Sequence, residues 1–155
     1  NETLCHLMIS NKFKNTVLTI PSPFSDLDHI SLQVSSVKTK KNVEFINGTP
    51  LISCDVSVST RVLSASVNSN YMSKENIKKI EDFANSYLKD RITKYLYKTS
   101  IVLKSDIDSF GSIAVKQFAN QKDWENYNWL NKYSSCCLKV SVNTKLRSSY
   151  LVLGQ

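Results

Sequence analysis

Residues 107–148 constrain the fold most strongly, because two aromatic-bearing helical segments run directly into a strand of clean period-two alternation. In that strand Leu138, Val140, Val142 and Leu146 fall on one face, and Lys139, Ser141, Asn143, Lys145 and Arg147 on the other. This is the pattern of a strand with one face buried and one in water. A helix-then-strand unit with a polar, basic outer face is the expectation.

Upstream, residues 16–20 are β-prone and stop at Pro21-Ser22-Pro23, which can continue neither a strand interior nor a helix. Alternation at Ile30, Leu32 and Val34 predicts a strand, a polar break at 38–42 interrupts it, and Val43 and Phe45 resume it. Asn47-Gly48 then signals a type I′ hairpin turn, since both residues tolerate positive φ. Beyond it Ile52, Cys54, Val56, Val58, Thr60 and Val62 line one face against Ser53, Asp55, Ser57, Ser59 and Arg61. Ser73 is placed to cap a long amphipathic helix in which Ile77, Ile80, Phe83, Ala84, Tyr87, Leu88, Ile92, Tyr95 and Leu96 recur at three and four residues, with Val102 as a further member. Ser105 or Asp106 can cap a next helix whose stripe is Ile107, Phe110, Ala114 and Phe118, with Gly111 admitting a close neighbour. Trp124, Tyr127, Leu130 and Tyr133 predict a short helix or two turns before the last strand. The class is therefore α+β, a mostly antiparallel β-sheet with a long helix and shorter helices packed on one face.

The 155 residues fit a single domain spanning 1–155, and 41% hydrophobic with 21% charged residues is a globular composition. No apolar stretch approaches the roughly 20 residues that cross a bilayer, and the first residues lack the basic-then-apolar order of a signal peptide. Four cysteines, Cys5, Cys54, Cys136 and Cys137, are too few and too irregular for a disulfide scaffold. Cys54, on an apolar strand face, reads as a buried thiol. The net charge of +7 invites an anionic partner, but acids such as Glu75, Glu81, Asp82 and Asp90 interleave with the bases, as on a solvated surface.

Catalytic chemistry has no signature. His6 and His29 lie in no metal-ligand spacing, so neither a metal nor a cofactor is expected. Three glycines form neither a nucleophile elbow nor a phosphate loop. Asp106 and Asp108 are better explained by capping at a helix start than by acid–base work. Trp124 is expected in the core, whereas Trp129 fits either core packing or an exposed docking surface.

The series Asp106-Ile107-Asp108-Ser109-Phe110-Gly111, then Trp124, then Trp129 and Tyr133 four residues apart, then an alternating Val-rich strand ending in bases, resembles the C-terminal domain of the spore germinant receptor C subunit, the Ger(x)C family of germination lipoproteins. The resemblance continues through Leu18-Thr19-Ile20-Pro21-Ser22-Pro23 and the runs 30–37 and 43–58, so it covers nearly the whole chain. Asp108 departs from it, standing where the family has an apolar residue, as do Ser148-Ser149, which stand where it has a glycine. What the resemblance implies is a non-enzymatic subunit of a nutrient germinant receptor. It would lie at the outer surface of the spore inner membrane, held by a lipid anchor upstream of this soluble piece, and contact the integral-membrane A and B subunits. Cys5 is no candidate for that anchor, because Glu2-Thr3-Leu4 lacks the small residues an acceptor needs. On this reading Asp106, Phe110, Gly111, Trp124, Trp129 and Tyr133 are structural, Lys139, Lys145 and Arg147 are candidate contact residues, and no nucleic acid is bound. The rival reading is a basic nucleic-acid-binding module, which would use the charge and the tryptophans but lacks a recognisable binding motif.

Overall fold

In a computed structural model, which describes residues 2–65 and 73–147, a four-stranded sheet carries the chain in the order β1-β2-β3-β4. Helix α1 (Glu2–Ile9) precedes β1 (Thr16–Pro21), β2 (His29–Ile46) and β3 (Thr49–Ala65), and the long α2 (Lys74–Tyr97) follows. Three short helices, α3 (Gly111–Ala114), α4 (Gln121–Tyr127) and α5 (Trp129–Tyr133), lead into β4 (Cys137–Leu146). The first three strands are antiparallel neighbours and β4 joins β3 in parallel. The α+β expectation of a mostly antiparallel sheet with a long helix and shorter helices holds.

The β2–β3 hairpin turns at Asn47 and Gly48, with φ of 50° and 79°, the left-handed pair a type I′ turn requires. Along β3 the side chains of Ile52, Cys54, Val56, Val58 and Thr60 are all buried, and on β4 so are Val140 and Thr144. Their neighbours, such as Asp55, Ser57, Lys139, Ser141, Asn143 and Lys145, are exposed. One face of the sheet is thus covered and the other left open to water.

The polar run 38–42 does not break β2, which continues through it for 18 residues. Lys38, Lys40 and Asn42 fall on the open face. The two that point the other way find partners, Thr39 donating its hydroxyl to the Met8 carbonyl at 2.8 Å and Lys41 its ammonium to the Asp108 carbonyl at 2.6 Å. A polar residue on a covered face is tolerated once it is bonded.

Ser73 caps α2 as expected, its hydroxyl accepting from the Asn76 amide at 3.2 Å. The buried stripe is Ile80, Ala84, Leu88, Ile92, Tyr95 and Leu96. The helix also closes the free edge of β4: Asn85 Oδ1 accepts from the Thr144 amide at 2.6 Å and Glu81 Oε1 from the Leu146 amide at 2.8 Å. Side chains from the helix therefore satisfy donors that an exposed edge would offer to another chain. After Tyr97 the helix widens into a π turn (Lys98–Val102), and Val102 stands 61% exposed rather than extending the stripe.

Two further expectations change. The helix drawn through Ile107 and Phe118 contracts to α3 and a 3₁₀ turn, Val115–Gln117, leaving Ile107 47% exposed. Leu130 is also exposed, because α5 turns Trp129 and Tyr133 inward instead. Ser148 and Ser149 lie outside the described residues. The four cysteines are free thiols, with Cys5, Cys54 and Cys136 buried and Cys137 exposed. Burial pushes the Cys54 thiol up to about 12, as its apolar surroundings disfavour the thiolate.

Candidate functional site

The motif residues converge on one carboxylate. Asp106 Oδ1 accepts from the Phe110 amide at 2.8 Å, while Oδ2 accepts from the Gly111 amide at 2.6 Å and from the Trp129 indole at 3.0 Å. This closes the first turn of α3 and ties it to α5, 23 residues further along the chain. A β-carbon on Gly111 would lie 2.7 Å from the Trp129 indole nitrogen and 3.0 Å from Asp106 Oδ2. Glycine is required here because the indole passes directly over the backbone.

From this knot an aromatic ladder descends to the hairpin. Phe110 stacks on Tyr133 at 6.3 Å between centroids, Tyr133 meets Trp129 at 5.2 Å, and Trp129 meets Trp124 at 5.7 Å. Phe118 continues it from Trp124 at 5.3 Å to Phe45 of β2 at 5.4 Å. Each such pair adds about 0.5–1.5 kcal/mol beyond its burial. At the foot the Tyr127 hydroxyl donates to the Gly48 carbonyl at 2.9 Å, and Gln117 donates to the Val43 carbonyl at 2.6 Å. The segment from α3 to α5 thus clamps the hairpin tip. Trp129 is 7% exposed and belongs to the core, and Trp124 is half-buried beside it.

Asp108 does something other than cap. It is 4% exposed, with Oδ1 2.9 Å from His6 Nδ1 of α1, and the Tyr95 hydroxyl interacts with the same carboxylate. Desolvation raises its pKa above the usual carboxylate range, and His6, Tyr95 and Lys41 only partly offset that. Helix α1 is not among the elements expected above, although Leu4, Cys5, Met8 and Ile9 have the helical spacing that signals it, and with it the His6 partner.

Beside this pair is a cleft of about 460 Å³ between α1 and the end of α2. Four of its five charges are paired, Glu2 with Lys98 at 2.6 Å and Asp90 with Lys94 at 2.8 Å, and the fifth, Arg91, lies over the Tyr87 ring at 4.6 Å. Burial raises the pKa of both Cys5 and Tyr95 in its wall. A nucleophile or base working near neutrality needs the opposite shift.

The three predicted contact residues share the open face but not one cluster. Lys139 stands opposite Ser53, whereas Lys145 stands opposite Ser59, six residues further along β4 and about 20 Å away. Arg147 joins Lys145, its Nε donating to Ser59 Oγ at 2.9 Å. Among the described residues, no group of three or more His, Cys, Asp or Glu is arranged to hold a metal.

The family model for the C-terminal region of spore germination B3 and GerAC-like proteins matches residues 1–150. The chain belongs to this family. The family is that of germinant receptor C subunits, proteins of spore germination. The crystal structure of the GerBC protein is similar in fold, with a TM-score of 0.78 at 17% identity, over 95% of this chain and 45% of that one. This chain therefore spans less than half the length of that protein. No curated protein sequence matches it.

Two outcomes test the site. Gly111→Ala displaces the indole and weakens the Asp106 bonds, so the midpoint of chemical denaturation should fall by the equivalent of about 1–3 kcal/mol. Asp108→Asn probes the raised pKa. An acid whose folded pKa is raised contributes stability that is present below its unfolded value and lost as pH rises through the folded one. The wild-type chain should therefore lose stability relative to Asp108→Asn as pH climbs upward from the ordinary carboxylate range, and parallel pH profiles of unfolding would contradict this.

Proposed function

We propose that the chain is the C-terminal part of a non-enzymatic germinant receptor subunit that acts through contacts. It works at the outer face of the spore inner membrane, held there by a lipid anchor in the part of the protein upstream. Its partners are the integral-membrane A and B subunits. Family membership supports the setting, and among the described residues no helix is long and apolar enough to cross a membrane.

The open sheet face carries the contact reading. Lys38, Lys40, Arg61, Lys139, Lys145 and Arg147 stand on it or at its margin against the acids Glu44 and Asp55. A broad basic face of this kind meets anionic headgroups or an acidic partner surface, with about 1 kcal/mol per base near an anionic membrane. The nucleic-acid alternative is weaker for a physical reason: Trp129 is buried and Trp124 half-buried in the aromatic ladder, which leaves little exposed indole on which bases could stack. The cleft at α1 does not favour catalysis either, since burial raises the pKa of its thiol and phenol, away from the range of a nucleophile or base.

Replacing Lys139, Lys145 and Arg147 together by Glu in the full-length protein tests the reading. Receptor assembly and nutrient-triggered germination should both decline while the protein level stays normal. Wild-type germination by that variant would contradict the contact role.

A further inference from the structure

The open face is not uniform. Where β2, β3 and β4 run side by side, a shallow pocket of about 260 Å³ is lined by Lys38, Lys145 and Arg147. The register explains the convergence. Lys38 pairs with Ser57, which pairs with Asn143; in the next row Ser36 pairs with Ser59, which pairs with Lys145. A bulge between Val34 and Ser36 adjoins these rows, and bulges increase the local twist of a sheet.

The donors in this pocket are largely uncommitted. Arg147 uses Nε on Ser59, and a guanidinium has further N–H groups to offer. Ser59, having accepted that bond, can turn its own O–H outward. Lys145 approaches Glu81 only at 3.7 Å and its side chain is 69% exposed, a pair too loose to hold it. The Leu146 amide is held by the other oxygen of Glu81, Oε1. Among the described residues, no carboxylate lines the pocket. Three cations, three serines and one amide around one concavity suit an anion with several oxygens and more than one charge.

We propose that the pocket between Lys38, Lys145 and Arg147 is a binding site for a phosphate-class oxyanion, either a lipid headgroup phosphate or a soluble phosphate group. The site deepens the contact reading of this face and rests on that reading for its place in the receptor.

Titration of the 155-residue chain with inorganic phosphate against chloride at matched ionic strength, followed by amide NMR, tests it. Saturable shifts should be confined to residues 36–38, 57–59 and 143–147. The Lys145→Glu, Arg147→Glu pair should weaken binding at least about tenfold, the scale expected for lost charge-assisted bonds. The control pair Lys122→Glu, Lys132→Glu makes the same charge change elsewhere and should leave it intact. Co-sedimentation with phosphatidylglycerol vesicles but not with pure phosphatidylcholine, lost in the Lys145, Arg147 variant, would identify the lipid source. Phosphate binding without vesicle binding would identify a soluble one. Absence of localised shifts, or equal weakening by the control pair, would overturn the site. Normal germination by the triple contact variant would instead overturn the contact reading while leaving measured phosphate binding standing.

Discussion

The Asp106 carboxylate holds together a region that has little regular structure of its own. Between α2 and β4 the chain makes a π turn, three short helices and a 3₁₀ turn, none long enough to persist without tertiary support. One carboxylate collects three N–H donors from Phe110, Gly111 and Trp129, and charge-assisted bonds are the stronger class. With the indole fixed, Trp124, Tyr133 and Phe118 acquire defined neighbours, and the ladder reaches Phe45 and the hairpin turn. The same segment delivers the chain to β4, so the parallel strand depends on it for its entry.

Two faces of one sheet then divide the work. The covered face buries aliphatic side chains from all four strands beneath the helices. The free edge of β4 is taken up in part by Asn85 and Glu81. The open face is left to solvent, and on it serines and bases alternate with the core positions. A strand with period two puts every second residue there, so the basic surface follows directly from the pattern that builds the core.

Much of this was legible from local signals. Asn47-Gly48, the alternation after it, the Ser73 cap and the need for glycine at position 111 each rest on chemistry acting within a few residues. The contraction of the helix after Asp106 was not legible, because the Asp106 side chain bonds forward to Phe110 and Gly111 and leaves Ile107 outside the turn. The role of Asp108 is hidden for a similar reason: its partner His6 is 102 residues away, on α1. The polar run in β2 looked like a break because its inward members, Thr39 and Lys41, are satisfied only by α1 and by the loop at Asp108. Long-range bonds to polar groups leave no periodic trace in a sequence.

Family membership links the chain to spore germination proteins, and the physical account turns on the Asp106 carboxylate fixing the Trp129 indole. Hydrogen exchange at the two indole N–H groups reads this directly, since each gives a separate resonance. The Trp129 indole should exchange far more slowly than that of Trp124, and Asp106→Asn should sharply reduce the difference. Equal exchange at the two indoles in the wild-type chain would contradict the account.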